Sequence, residues 1–99
     1  MLEKEIEMCL IKTIKELNGL CIKFSPISFV GMPDRIVILP NAKIGFIELK
    51  APNKKPRAIQ VKRIKQLQEL GFKAFVVDNK NQIDEVIKII KEGGDNFGI

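Results

Sequence analysis

Two runs of β-branched and aliphatic residues constrain this chain more than anything else in it. Arg35-Ile36-Val37-Ile38-Leu39 and residues 44–50 are separated only by Pro40-Asn41-Ala42-Lys43. Runs of this composition read as strands. A connection so short allows an antiparallel hairpin, whereas a parallel pair needs a crossover of a dozen or more residues. The hairpin fixes which ends meet: the start of the first strand lies beside the end of the second.

Those two ends carry charge. Asp34 follows Pro33 and opens the first strand, and Glu48 and Lys50 close the second, about 14 residues later. Side chains two apart on a strand project to one face. Glu48 and Lys50 therefore point together, with Ile47 and Leu49 on the other side. Each piece has a plainer reading on its own. Pro33-Asp34 is a common turn pair, and Glu48 with Lys50 suits an exposed ion pair of little energetic consequence. Together they make an acid, a second acid and a base at one end of a hairpin. Two carboxylates, with the Leu49 main-chain carbonyl as a third oxygen, suit a divalent metal that polarises a phosphate and lowers the pKa of a bound water. Lys50 then orients the water, stabilises charge developing on the phosphate, or exchanges a proton.

The chain contains no histidine, which excludes histidine triads and histidine-ligated zinc. An all-oxygen site selects magnesium or manganese. The two cysteines, Cys9 and Cys21, have neither CxxC nor Cys/His spacing and are read as small core residues.

The remaining elements surround the hairpin. Ile6, Leu10, Ile14 and Leu17 form one stripe of a helix over 3–18, ended by Asn18-Gly19. Residues 20–24 form a short strand. Residues 25–33, with two prolines and a glycine, form a loop. After a Pro/Lys loop over 51–57, a helix runs from about 57 to 70. Its apolar positions Ile59, Ile64, Leu67 and Leu70 fit a stripe only loosely. Residues 73–77 form a fourth strand, reached by a right-handed crossover and so parallel to the third. A last helix over about 82–92 presents Ile83, Val86, Ile87 and Ile90. Gly93-Gly94 stops it, and the tail is expected to fray. The order α-β-β-β-α-β-α predicts one α/β domain over residues 1–99, with a mixed four-stranded sheet flanked by helices.

Charge is uneven along the chain. Residues 50–73 hold eight basic side chains against Glu69 alone, a net of +7, while the whole chain carries +5. A basic block of this density suits a polyanion. Lys54, Lys55, Arg57, Lys62, Arg63 and Lys65 are candidate contacts to a DNA backbone, which position without reading sequence. The absence of Trp and Tyr argues against stacking on single strands and favours duplex or branched DNA. No apolar run approaches the roughly 18 residues of a membrane span, and the acidic, polar N-terminus is no signal peptide. A cytoplasmic protein is expected.

Pro33-Asp34…Glu48-Leu49-Lys50 matches the motif of the PD-(D/E)XK nucleases. With Glu3-Lys4-Glu5-Ile6-Glu7, Lys23-Phe24, Gly31-Met32-Pro33-Asp34-Arg35, Ile47-Glu48-Leu49-Lys50-Ala51-Pro52 and Pro56-Arg57-Ala58-Ile59-Gln60, the chain resembles the VRR-NUC branch of that superfamily over about residues 3–91. The resemblance implies a restriction-endonuclease-like α-β-β-β-α-β core. It implies Asp34 and Glu48 as ligands of Mg2+ or Mn2+, and Lys50 as the catalytic lysine. It also places a first-helix glutamate at the metal and a glutamine, Gln60, holding the lysine or the phosphate; of Glu7 and Glu3, Glu7 is preferred, because it leaves Ile6, Leu10, Ile14 and Leu17 as an undisturbed core stripe. Stand-alone domains of this kind resemble phage or bacterial proteins, so the expected setting is a bacterial or phage-infected cell. Similar ones act as homodimers on branched DNA, and small size points the same way, to a two-fold dimer that would suit a symmetric four-way junction. Two other readings stand beside this: a non-catalytic DNA-binding module, and the nuclease subunit of a larger restriction or repair assembly.

Overall fold

The computed structural model describes residues 1–93; the tail expected to fray lies outside the described residues. The hairpin forms as read. Strands β2 (Arg35–Leu39) and β3 (Lys43–Leu49) pair antiparallel, with Arg35 opposite Ile47 and Leu39 opposite Lys43. Asn41 and Ala42 at the turn both take left-handed backbone, φ 69° and 60°. That conformation suits Asn and disfavours Ala.

Strand β1 (Leu20–Lys23) joins β2 antiparallel, and β4 (Lys73–Val77) lies parallel to β3, giving the order β1-β2-β3-β4. The sheet is mixed, as the element order implies. Helix α1 (Glu3–Glu16) ends two residues earlier than the sequence suggests, with Asn18 left-handed at φ 63°. Helix α2 spans Ala58–Glu69 and α3 spans Ile83–Glu92, the latter entered through a single 3-10 turn, Lys80–Gln82.

Alternation along the strands divides the core in two. Val37, Leu39, Ile47, Leu49, Phe75 and Val77 face α1 and α3, where Ile6, Leu10, Ile14, Ile83, Val86, Ile87 and Ile90 complete the larger cluster. Gly45 allows the close approach of α3, because a Cβ there would lie 2.5 Å from the Ile90 side chain. On the opposite face, Phe46 and Ala74 meet Ile64 and Leu67 of α2.

The loose stripe of α2 has a simple explanation. Its buried positions are Gln60, Ile64 and Leu67, a regular helical spacing that begins with a polar residue. Leu70, assigned to the stripe from sequence, is 75% exposed, because the helix has ended by that point. Cys9 and Cys21 are free thiols at the margin of the larger cluster, not fully inside it. Among the described residues, no helix is long and apolar enough to cross a membrane.

Candidate active site

The hairpin register carries Asp34 to Glu48. With Arg35 opposite Ile47, the next pair outward is Asp34 and Glu48. Two contacts lock the join. The Leu49 amide donates to Asp34 Oδ1 at 3.1 Å, and the Phe24 amide donates to the Asp34 carbonyl at 2.9 Å. Pro33, read from sequence as part of a turn, is fully buried. Gly31 in the preceding loop, at φ 90°, lies against Ile59 of α2, where a Cβ would meet that side chain at 2.7 Å.

Glu48 is 3% exposed. Its Oε2 accepts from Gln60 Nε2 at 2.9 Å and pairs with Lys50 Nζ at 3.2 Å. Its Oε1 is buried with no hydrogen-bond partner. The nearby main-chain amide of Asp34 favours the charged form of this carboxylate without closing a full hydrogen bond to it. Lys50 lies one residue beyond β3, and its amide still donates to the Val77 carbonyl at 3.0 Å, extending the β3–β4 ladder.

Both carboxylates hold protons more tightly than usual. Burial raises Asp34 to about 6, with Glu48 adding to the rise and the Leu49 amide opposing it. Burial raises Glu48 as well, opposed by the Lys50 hydrogen bond and charge. A positive charge beside these two acids would favour both ionised forms.

The first-helix glutamates separate. Glu7 pairs with Arg35, at 2.8 Å to Nη2 and 3.3 Å to Nε, and Arg35 Nη1 also donates to the Cys21 carbonyl. Glu3 is exposed, yet its charge raises Asp34 ahead of Glu7 and also raises Glu48. Among the described residues, no group of three or more His, Cys, Asp or Glu side chains is gathered for a metal. Two carboxylates nonetheless fit magnesium, which binds through one or two of them and keeps several waters. The orphaned Glu48 Oε1 supplies a buried oxygen with nothing else to hold.

Gln60 contacts the carboxylate and not the lysine. Its Oε1 accepts from the Arg57 amide at 2.8 Å, satisfying the start of α2, while Nε2 holds Glu48. The lysines of the basic block are exposed at 54, 55, 62 and 65. Lys54, Lys55 and Lys65 line a cavity of about 480 Å3 together with Val76 and Asp78. Val76 is the β4 partner of Glu48, so this basic cavity adjoins the carboxylates. Arg57 is exposed at the mouth of α2. Arg63 is engaged at the surface by the loop over 25–33: its guanidinium lies 3.7 Å from the exposed Phe29 ring centroid and donates to the Val30 carbonyl at 2.9 Å.

Arg35 is the residue the sequence reading missed. Its only signal was a basic side chain beside Asp34, with its partner 28 residues upstream.

Known proteins resemble this sequence and share this fold. The chain is 38% identical over 79 residues to the "Putative nuclease p44" of Acyrthosiphon pisum secondary endosymbiont phage 1, covering 80% of this chain and 85% of that protein. A solved "VRR_NUC domain" superposes with a TM-score of 0.80 at 32% identity, over 87% of this chain and 94% of that one. A second solved structure, a "VRR_NUC domain protein", shares the fold at a TM-score of 0.69 and 24% identity, over 100% of this chain and 95% of that one. No family model matches the chain.

Proposed function

The chain belongs to the VRR-NUC family of nuclease domains, and on that premise we propose that it is a metal-dependent DNA endonuclease. Its preferred substrate in this reading is branched DNA, the four-way junction above all, cut by a homodimer. The observation that carries the catalytic reading is Glu48: buried, held through one oxygen by Lys50 and Gln60, and left with a partnerless second oxygen beside Asp34.

Asp34, Glu48 and the Leu49 carbonyl would hold Mg2+ or Mn2+, with Glu3 favoured over Glu7 as the helix contribution, because Glu7 is occupied by Arg35. A metal held there would supply polarisation of the phosphate and a lowered pKa for a bound water. Lys50, paired with Glu48 at 3.2 Å, would orient the attacking water and stabilise negative charge on the phosphate. Gln60 keeps the Glu48 carboxylate fixed in orientation while Lys50 engages DNA. Lys54, Lys55, Lys65, Lys62 and Arg57 meet the DNA backbone around the site, and Arg63 supports the loop over 25–33.

The test is cleavage of four-way junction, flap, single-stranded and duplex DNA with magnesium, with manganese and with EDTA. Metal-dependent cutting restricted to the junction is expected. Lys50→Ala should retain binding and lose cleavage by several orders of magnitude. Failure to cut any substrate with either metal would leave a DNA-binding module in place of an enzyme.

A further inference from the structure

Helix α2 separates two hollows. The basic one lies toward β4 and is lined by Lys54, Lys55 and Lys65. The other, also about 480 Å3, lies between α2 and the loop over 25–33. Its apolar walls are Phe29, Met32, Leu67 and Leu70, and its polar atoms come from Arg63, Gln66 and Glu69. That volume suits a ring-sized ligand. A phosphate gains little there. Arg63 is already engaged by Phe29 and the Val30 carbonyl, and Glu69 is the one acidic residue of the 50–73 block. A neutral ring with polar edges fits better. Gln66 Oε1 accepts from Arg63 Nη1 at 3.0 Å, which leaves its Nε2 to donate beside the Glu69 acceptor.

The loop meets this hollow with an exposed apolar edge. Ile27 is 95% exposed, Val30 63% and Phe29 47%, the most of any aromatic ring among the described residues. Phe24, Phe46 and Phe72 instead pack their rings against one another. The edge is held in place from behind. Arg63 lies over the Phe29 ring and bonds the Val30 carbonyl, left-handed Gly31 sits tight against Ile59, and Pro33 is buried. A ring fixed in orientation before its ligand arrives binds at little ordering cost, and aromatic faces are what splayed nucleobases stack upon. The chain also sets the location. Met32 precedes Asp34 by two residues and Phe29 by five, so the ring lies at most about 18 Å from the first carboxylate, or about five stacked nucleotide steps of 3.4 Å. Lys62, exposed one turn before Gln66 on the same side of α2, is placed for the phosphates beside such a base.

We propose that Phe29 and the hollow beside it receive one unstacked nucleobase from the branch point of the DNA. This site rests on the DNA-cleaving reading above and gives its branch preference a set of residues. In continuous duplex every base is paired and stacked on both sides, and taking one out costs free energy; the cost is least for a base that is mismatched or already single-stranded. A branch point interrupts the stack and presents such a base. One ring serves one base. Binding along a single strand uses a row of aromatic rings, and the chain has no Trp or Tyr to supply it, so the site reads an opening in a duplex and not a tract. Ile27 and Val30, exposed on either side of Phe29, abut the step that the base has left, where inserted apolar side chains hold a kinked duplex open. The carboxylates then meet a phosphate a few nucleotides from the extruded base.

The experiment titrates the protein into four-way junctions carrying 2-aminopurine at successive positions around the branch, in EDTA so that nothing depends on cleavage. The fluorescence of this base rises when it leaves the stack. The wild type should give a rise at a position next to the branch and none in unbranched duplex. Phe29→Ala should lose the rise and bind the junction roughly 5- to 150-fold more weakly, with duplex binding unchanged. Phe29→Leu, which keeps apolar bulk in the loop without a stacking face, should do the same and carries the test if circular dichroism shows Phe29→Ala unfolded. Phe29→Tyr should keep both properties. No rise at any position overturns the proposal, and so does an equal rise in duplex or a Phe29→Leu variant that binds the junction like the wild type. A Phe29 variant whose solution mass by light scattering differs from the wild type overturns it too, by making the loop a protein contact. A rise from a protein that cuts nothing with magnesium keeps this site and ends the nuclease reading; junction cutting without any rise does the reverse.

Discussion

Asp34 makes the fold and the site compete. Its folded pKa, about 6, lies above that of an unfolded aspartate, so the folded chain binds the proton more tightly. The stability this contributes is full below about pH 4 and is lost as pH rises through 6. Without metal, thermal unfolding should therefore occur at a lower temperature at pH 7 than at pH 5. Asp34→Asn should flatten that dependence and stabilise the metal-free protein at pH 7, while abolishing cleavage. Added magnesium should raise the unfolding temperature of the wild type and leave Asp34→Asn unmoved. Gln60 permits a second test. Gln60→Leu completes the apolar stripe with Ile64 and Leu67 but removes a hydrogen bond from buried Glu48. The variant should fold, hold its Glu48 proton to higher pH, and show a cleavage profile displaced to the alkaline side. An unchanged profile would show that Gln60 does not govern that carboxylate.

At the scale of elements, the hairpin turn is the weak point. Ala42 sits at φ 60°, where an L residue with a Cβ is disfavoured, so Ala42→Gly should stabilise the protein by about 0.5–1 kcal/mol in denaturant unfolding. The elements that the sequence revealed were those whose pattern is local. Alternation and a short turn disclosed β2 and β3, and the spacing of Ile83, Val86, Ile87 and Ile90 disclosed α3. Asp34 and Glu48 were recoverable as neighbours because hairpin pairing is arithmetic. The Gln60–Glu48 bond was not, since it joins residues 12 apart through the packing of a helix on a sheet. The Arg35–Glu7 pair likewise depends on how α1 lies across the sheet. The misreading of Leu70 has the same origin, because a stripe was sought among apolar residues alone while the buried face of α2 starts with glutamine.

At the scale of the molecule, basic charge gathers beside the acidic end of the hairpin. The basic cavity over Lys54, Lys55 and Lys65 adjoins the carboxylates. DNA binding should accordingly weaken steeply with salt. Lys54→Ala with Lys55→Ala should reduce the slope of log K against log salt by about 2, uniformly across sequences, in a fluorescence-anisotropy titration without metal. An unaltered slope would remove those lysines from the DNA contact.

The turn between β2 and β3 also acts as a gauge block for chemistry at the far end of the hairpin. Because facing residues advance together, a two-residue slip would bring Asp34 level with Phe46 or Lys50 in place of Glu48, a displacement of roughly 7 Å. Apolar alternation along both strands would survive such a slip, so the core would tolerate it far better than the site. The number of residues from Pro40 to Ala42 therefore calibrates the distance between two carboxylates that the turn never touches.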